Sequence, residues 1–390
     1  MKRKKLLALG LSLILALSLM ACGSSDTSSD DDAEDTAEET EAEEEDEDED
    51  SEDSESSTGL IAEEYLTGDY TTLPEDGETI TLTLGHAAAE TSQQHVTAQA
   101  FAEAIEYYSD GKITVTIYPN GQLGSDSEMI SSMLAGDIDI VCQAGSTHLS
   151  YVSEAAIFDT PFLLTDYDND ALTSVCIDSE FRDLYDAANE EAGIKLLQLR
   201  ANVSMNLTSN KAVYSMDDLA GLKIRTAQSE SRMAIWEDLG ANPTPLAFSE
   251  LYLALQNGTV DAQDNVWENA VTSGAAEQQK YMIPTAHMQP STEWLMNLEV
   301  FESLPEEYQA LIEEIADDIN LYDIATSTAA DEDYYNQLID EYGLEVCEVS
   351  DEFAADMVEA AQDAIQDVHD TVGNEELYEV LEECLEAASE

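Results

Sequence analysis

Two stretches decide the fold of this chain: DDLAGLKIRTAQS at Asp217–Ser229 and GANPTPLAFSELYLALQNGTVDAQDN at Gly240–Asn265. In the first, Leu222–Ile224 predicts a short strand, and Arg225 follows it as the only cation of the next turn. In open α/β sheets, ligands bind at the carboxyl ends of the strands, where loops and backbone groups converge. The position of Arg225 therefore favours contact with a small organic acid.

The second stretch predicts two more strands, Thr244–Phe248 and Thr259–Ala262, on either side of a helix at Glu250–Gln256. Gly258 is a typical stop signal for that helix. Asn265 then falls at the carboxyl end of its strand, where its amide offers both a donor and an acceptor. An arginine, an aromatic ring and an asparagine are thus expected at one crevice.

These stretches resemble the substrate-binding proteins of TRAP-type (tripartite ATP-independent periplasmic) transporters. The similarity is nearly unbroken from Leu219 to Asn265, includes Tyr118–Gly124 and Gln279–Tyr281, and covers about residues 79–320. The resemblance implies an α/β, two-lobed periplasmic-binding-protein-like fold with a hinge, a ligand cleft and a long helix that spans both lobes.

The alternation of strands and helices along the chain supports sheets with helices on their faces. The resemblance implies lobe I at 79–202 plus 291–335 and lobe II at 203–290 plus 336–390. The long helix fits Glu306–Tyr342, which contains neither proline nor glycine. Further strands are predicted at Thr79–His86, Ile113–Tyr118 and Ile138–Cys142.

The N-terminus predicts export and lipidation. Residues 1–5 are basic, residues 6–20 are mostly apolar, and Leu19–Cys22 resembles a bacterial lipobox. A transmembrane anchor is the alternative, but the apolar run is shorter than the roughly 20 residues that span a bilayer. We therefore interpret 1–22 as a lipoprotein signal peptide with Cys22 as the acylated residue. This predicts a protein anchored by lipid to the cell membrane and facing the extracytoplasmic side.

Residues 23–78 are predicted to form a disordered tether, because 20 Asp and Glu lie between Asp26 and Glu55 and residues 23–58 contain no aromatic or large aliphatic residue to bury. The whole chain is acidic too: 13 Lys and Arg oppose 86 Asp and Glu, a formal net charge of −73. This charge excludes nucleic acid and anionic lipid as partners, so the membrane is reached only through the lipid anchor. An anionic ligand consequently needs a dedicated local cation.

Cysteines and motifs give no indication of catalysis, a cofactor or a metal. No histidine lies at metal-ligand spacing to Cys142, Cys176, Cys347 or Cys384. Free buried thiols are the preferred interpretation, and a bridge between Cys347 and Cys384 is the alternative. Because the chain also lacks G-x-S-x-G, Walker and G-x-G-x-x-G motifs, we predict a binding protein and not an enzyme.

Five residues are predicted to contact the ligand most directly. The resemblance implies that Arg225 binds its carboxylate and that Asn265 and Phe248 face it. A planar guanidinium would hold that carboxylate through two parallel hydrogen bonds. Trp267 is placed at the same crevice, with packing as an equal alternative. From lobe I, the loop after the third strand offers Gln143 as a hydrogen-bonding group in the opposite wall.

His86, after the first strand, is the sixth candidate, with a structural histidine as the alternative. Met205 stands where many acid-binding members of the family carry a second arginine. Asp264 and His287 match positions that often join that arginine in a polar network behind the ligand. A pocket with one arginine and a methionine favours a small, rather apolar monocarboxylate over a polyhydroxylated acid sugar.

We therefore predict a monomeric extracytoplasmic solute-binding lipoprotein that captures a small organic acid and delivers it to the integral membrane subunits of a TRAP-type permease. By resemblance, that permease uses an ion gradient and not ATP. A ligand-sensing receptor subunit for a sensor kinase is the alternative, and a surface hydrolase is a more distant one. The sequence leaves open a Gram-positive surface or a Gram-negative periplasm.

Overall fold

The computed structural model describes residues 58–389; the predicted signal peptide, Cys22 and residues 23–57 of the predicted tether lie outside the described residues. The strands are β1 (Ile80–His86), β2 (Ile113–Tyr118), β3 (Ile140–Ala144), β4 (Ile194–Ala201), β5 (Met205–Ser209), β6 (Lys223–Thr226), β7 (Asn242–Pro245), β8 (Ala262–Asn265), β9 (Tyr281–Met288), β10 (Ser291–Asn297) and β11 (Glu345–Val346).

The α-helices are α1 (Gln93–Tyr108), α2 (Asp126–Leu134), α3 (Asn169–Ile177), α4 (Glu180–Glu191), α5 (Met216–Leu219), α6 (Glu230–Asp238), α7 (Leu251–Gln256), α8 (Trp267–Thr272), α9 (Leu298–Ser303), α10 (Glu306–Asp340), α11 (Asp351–Ala360), α12 (Gln362–Val372) and α13 (Glu375–Ala388). Short 3-10 helices lie at Glu63–Tyr65, Gly145–Thr147, Ser153–Asp159, Phe248–Glu250 and Ala275–Gln278.

The strands form two sheets, each at the centre of one lobe. Lobe I contains the order β2-β1-β3-β10-β4, in which β1 pairs in parallel with β2 and β3 while β10 runs antiparallel to both neighbours. Lobe II contains the order β11-β9-β5-β8-β6-β7, in which β5 is antiparallel to β8 and β9. The two-lobed α/β architecture predicted from the sequence is confirmed.

Two neighbouring segments connect the sheets. The chain passes from β4 to β5 through residues 202–204 and returns from β9 to β10 through residues 289–290. The segments stay paired on both sides, because Ala201 lies opposite Ser291 in lobe I and Met205 lies opposite Met288 in lobe II. A pair of short connections between rigid sheets is where a hinge can absorb a change in backbone angles.

The long helix α10 connects the lobes a third time. Its N-terminal part buries Ile312 and Ile315 in the core of lobe I, against α1 and β4. Its C-terminal part packs on α8, where Leu338 joins a cluster around Trp267. The predicted continuous helix at Glu306–Tyr342 is therefore confirmed, with α10 ending two residues earlier at Asp340.

The predicted tether extends too far toward the folded domain. The segment 58–78 packs on α10: Ala62 and Leu73 are buried in the core of lobe I, and the backbone N–H of Thr67 donates to Asp318. These residues differ from the acidic run before them because they supply apolar side chains for which burial outweighs the cost of ordering. Only the part of the predicted tether before residue 58 stays a prediction.

The C-terminal helices do not all belong to lobe II. Helix α12 packs on both lobes: it contacts α6 of lobe II, and its Val368 and Val372 are buried in the core of lobe I beside Ser153–Asp159. Helix α13 packs on α3 and α4 of lobe I through Leu377, Leu381 and Leu385. The assignment of 336–390 entirely to lobe II is therefore wrong for α13 and for part of α12, while the other lobe boundaries stay a proposal. The same arrangement separates Cys384 on α13 from Cys347 in the core of lobe II, and all four described cysteines are free.

Candidate functional site

A cleft opens between the two lobes, and both lobes contribute residues to its lining. Small-molecule sites commonly lie in concave clefts of this kind. The lobe I wall comes from loops after β1 and β3 and from the start of α2, and the lobe II wall comes from β6, β8 and the loops that follow them. The lining residues include Ala88, Asp126, Gln143, Ser146, Thr147, Arg200, Met205, Arg225, Arg232, Phe248, Asp264, Asn265 and Glu268.

Arg225 provides a partly unused guanidinium in this cavity. It is buried in β6, and its Nε and Nη2 both donate to the carbonyl of Leu246, at 3.1 and 2.8 Å. Its Cζ lies 5.7 Å from the ring centroid of Phe248, a favourable cation–π distance. Burial lowers the pKa of Arg225 to about 10, so it remains charged at neutral pH. Within residues 58–389, no carboxylate comes within 4.0 Å of it.

Gln143 and Asn265 line the cavity from opposite lobes. The hydroxyl of Thr147 donates to Oε1 of Gln143, which leaves the buried Nε2 of Gln143 without a hydrogen-bond partner among the described residues. Asn265 donates through Nδ2 to Gln263 and accepts from Asn269 at 2.7 Å. Buried polar groups almost always have a partner, so the free Nε2 of Gln143 points to a ligand or a water molecule at this position.

Trp267 and His86 do not line the cavity. Trp267 is the first residue of α8, and its ring packs edge-on against Tyr335 of α10 with centroids 5.8 Å apart. His86 is completely buried, and its Nε2 lies 3.1 Å from Nδ1 of His95. Burial and the neighbouring His95 lower the pKa of His86 to about 4, which keeps it neutral. Both side chains therefore take the structural alternatives that the sequence analysis left open.

The prediction of a single arginine in the pocket is wrong, because Arg232 and Arg200 line it as well. The Nη1 of Arg232 lies 2.6 Å from Sδ of Met205, so its guanidinium occupies space beside the position where relatives carry the second arginine. Arg232 comes from α6 and forms an ion pair with the buried Asp159 through Nε, at 2.7 Å. The charge of Arg232 is consequently balanced by the protein itself.

Asp264 lines the cavity and belongs to a buried polar network with His287, as the resemblance implied. Its Oδ2 accepts a hydrogen bond from Trp236 at 3.0 Å and lies 3.6 Å from Nε2 of His287 and 4.0 Å from Nη1 of Arg232. Burial alone would raise the pKa of Asp264, but His287 and Arg232 outweigh it and hold that pKa below its ordinary value. Arg232 thus supplies the positive charge of the network, which the resemblance would have placed on an arginine at the position of Met205.

Arg200 is also balanced within the protein. Its Nε forms an ion pair with Asp323 of α10 at 2.8 Å, and both side chains are buried. Its Nη2 approaches the hydroxyl of Thr292, to which Asn202 of the hinge donates at 2.8 Å. Arg200 therefore connects the long helix to the hinge, and Arg225 is left as the cavity arginine without a carboxylate partner in the described chain.

Two acidic residues of the cavity, Asp126 and Glu268, were not predicted from the sequence. Asp126 is the first residue of α2, where Glu128 accepts hydrogen bonds from the backbone and hydroxyl of Ser125. This helix-start pattern was a usable signal, because it places Asp126 at the end of a loop that follows a strand. Burial raises the pKa of Asp126 to about 6 although the charge of Arg225 acts in the opposite direction.

Comparison with known proteins gives a consistent result. The model of the bacterial extracellular solute-binding protein family 7 matches residues 84–371. A solute-binding protein of Roseobacter denitrificans is 31% identical over 210 residues, which are 54% of this chain and 63% of that protein. The 2,3-diketo-L-gulonate-binding periplasmic protein YiaO of Escherichia coli is 31% identical over 234 residues, 59% of this chain and 70% of its own length.

Among solved structures, the sugar acid binding protein DctPAm of Advenella mimigardefordensis, in complex with galactonate, superposes with a TM-score of 0.75. The two chains are 26% identical, and the alignment covers 80% of this chain and 100% of the other. The similarity therefore extends over both lobes and over the cavity between them.

Proposed function

Because the chain belongs to the bacterial extracellular solute-binding protein family 7, we propose that it captures a small organic acid outside the cytoplasm and delivers it to a TRAP-type membrane permease. Members of this family are substrate-binding proteins and not enzymes. The observation that carries the proposal is the buried guanidinium of Arg225, which is charged, faces the cavity and has no carboxylate partner in the described chain.

One free arginine supports one carboxylate. Arg200 and Arg232 already have carboxylate partners, so a second ligand carboxylate would find no uncompensated cation among the described cavity residues. In this proposal the ligand carboxylate binds Arg225, Phe248 packs beside it, and Asn265 and Gln143 donate from the two walls. We therefore keep a monocarboxylate as the proposed ligand.

Binding is proposed to close the two lobes about the paired connections 202–204 and 289–290. Closure would bring Gln143 of lobe I toward a carboxylate held on Arg225 of lobe II and would exclude water from the ion pair. Exclusion of water strengthens the charged hydrogen bonds, and the closed form offers the permease a shape that the empty form lacks.

A thermal-shift screen of organic acids tests the proposal. A ligand that binds only the folded protein raises the melting temperature, by an amount equivalent to about 2.7 kcal/mol when its concentration is 100 times Kd. We expect one structural class of monocarboxylates to produce such a shift, and the corresponding primary amides to produce none. A screen in which acids and amides shift the melting temperature equally would contradict the carboxylate site.

Membrane attachment is proposed to depend on Cys22, which lies outside the described residues. Between residues 58 and 389, no helix has the length and apolar composition needed to cross a membrane. We expect Cys22→Ser to block both cleavage by the lipoprotein signal peptidase and lipidation of the protein. Mass spectrometry of the N-terminus of the wild type and the variant checks both outcomes. A mature N-terminus at another residue in the wild type would refute this assignment.

A further inference from the structure

The carboxylates of the cavity exceed its cations. Asp264 is compensated by Arg232 and His287, but no Lys, Arg or His nitrogen of the described chain lies within 4.0 Å of Asp126 or Glu268. Two acidic side chains thus share the cavity with a single arginine, Arg225, that has no carboxylate partner.

Asp126 lines the cavity from the lobe opposite to that of Arg225. It belongs to lobe I, at the start of α2, whereas Arg225 belongs to β6 of lobe II, and both line the same cavity. Asp126 makes no side-chain hydrogen bond within residues 58–389 and is only partly exposed. Burial raises its pKa to about 6, although the charge of Arg225 acts in the opposite direction.

Two cavity-lining residues also carry a buried atom without a partner in the described chain. Oδ1 of Asp264 and Nε2 of Gln143 are buried, line the cavity and have no hydrogen-bond partner in the described chain. Glu268 accepts one hydrogen bond, from the backbone N–H of Gln93, and burial raises its pKa too. Within the described chain, the cavity therefore presents an unsatisfied carboxylate oxygen on Asp264 and an unsatisfied amide donor on Gln143, in addition to the Arg225 cation.

A simple carboxylate ligand does not resolve this imbalance. Its charge would neutralise Arg225 and leave Asp126 and Glu268 ionised in a site that closure isolates from water. Burial of an unpaired charge is costly, and a neutral hydroxyl gives a weaker hydrogen bond to a carboxylate than a cationic nitrogen does. A ligand that carries a positive group beside its carboxylate compensates both sides of the cavity.

We propose that the ligand is a zwitterion whose carboxylate binds Arg225 and whose cationic nitrogen binds Asp126, with Glu268 as a further source of negative potential. This inference rests on the proposed function, because it assumes the carboxylate at Arg225. It differs from the polyhydroxylated acid that the galactonate complex of the similar DctPAm protein would favour.

Three matched series of probes test the zwitterion. They are alanine, lactate and propionate; 4-aminobutyrate, 4-hydroxybutyrate and butyrate; and proline, tetrahydrofuran-2-carboxylate and cyclopentanecarboxylate. Each series keeps the carboxylate and the overall shape and replaces only the cationic nitrogen, first by oxygen and then by a group without a heteroatom. In at least one series, we expect the affinity for the nitrogen compound to exceed the affinity for each of its two analogues by about ten-fold or more. A difference of this size corresponds to one charged hydrogen bond.

Asp126→Asn preserves the shape of the side chain and removes its charge. We expect it to weaken binding of the nitrogen compound by about ten-fold or more and to leave the hydroxy and unsubstituted acids unchanged or tighter. Asp137→Asn, at an exposed position just after α2, changes the net charge equally and serves as the control. Calorimetric titration of both variants separates the local effect from the general negative field.

The outcomes distinguish the two proposals. Binding of a hydroxy or unsubstituted acid in preference to every nitrogen analogue, or an unselective effect of Asp126→Asn, would overturn the zwitterion and leave the organic-acid function intact. If no carboxylate of any series raises the melting temperature, both proposals fail. If ethanolamine, which has no carboxylate, binds as tightly as the matching amino acids and in a manner that depends on Asp126, the carboxylate site at Arg225 fails and the zwitterion fails with it.

Discussion

Arg225→Ala is expected to weaken ligand binding by roughly 30-fold or more, equivalent to about 2–5 kcal/mol. The guanidinium is buried and anchored on the carbonyl of Leu246, so it is already oriented before the ligand arrives. Truncation would leave the ligand carboxylate in the closed cavity without its counter-charge. Arg225→Lys keeps the charge but loses the planar pair of donors, so its affinity should fall between those of Arg225→Ala and the wild type.

Lys223 provides a matched control on the same strand. It lies two residues before Arg225, is exposed and donates to the carbonyl of Gly258. Because an exposed charge is screened by solvent and salt, Lys223→Ala should change affinity by less than about three-fold. Calorimetry with the ligand and its primary amide completes the experiment. Equal binding of acid and amide, or an Arg225→Ala affinity within three-fold of the wild type, would disprove the carboxylate clamp.

The sequence predicted those site residues that lie on a local signal. The strand pattern around Arg225 and Asn265 predicted their positions. The observed strand β8 lies three residues later than the predicted strand Thr259–Ala262, so that Asn265 is its last residue. Phe248 lies in a 3-10 helix and not in the predicted strand, yet it still lines the cavity. The difference of two or three residues in the element boundaries does not move these side chains away from the cavity.

Residues that depend on distant partners were not predictable in this way. The role of Arg232 is set by Asp159, which lies 73 positions earlier and approaches it only in the folded chain. Trp267 lies two positions after Asn265 in the sequence, but it is the first residue of α8. Its ring packs against Tyr335 of α10 instead of lining the cleft. The sequence pattern could place Trp267 near the crevice, whereas the long helix decided which way it packs.

The second large effect that we expect concerns stability, and it comes from a buried contact between Glu293 and His148 behind the lobe I wall. Glu293 of β10 and His148 are both fully buried, with Oε2 of Glu293 and Nδ1 of His148 2.9 Å apart. The hydroxyls of Tyr185 and Ser291 donate to the other oxygen of Glu293 at 2.8 and 2.7 Å. His148 directly follows the 3-10 helix Gly145–Thr147, which lines the cavity, so this pair fixes the wall from behind.

Glu293→Gln is therefore expected to lower the free energy of unfolding by about 3–5 kcal/mol, since it leaves His148 without its buried partner. Urea denaturation should show a lower midpoint with an unchanged slope. Asp261→Asn breaks the exposed Lys211–Asp261 pair as a control and should cost less than about 1 kcal/mol. The double variant with His148→Gln should recover part of the loss, because the two side chains are coupled.

The pH dependence gives an independent test of the same pair. Burial alone would raise the pKa of Glu293, but the charge of His148 and hydrogen bonds from His148, Ser291 and Tyr185 outweigh it and hold the pKa below the ordinary value of 4.5. A carboxyl with a depressed pKa contributes stability in full above its unfolded pKa and loses it as the pH falls through the folded one. The stability difference between wild type and Glu293→Gln should therefore shrink as the pH falls below about 4.5. A difference that persists unchanged at pH 3 would show that the loss comes from packing and not from the carboxylate charge.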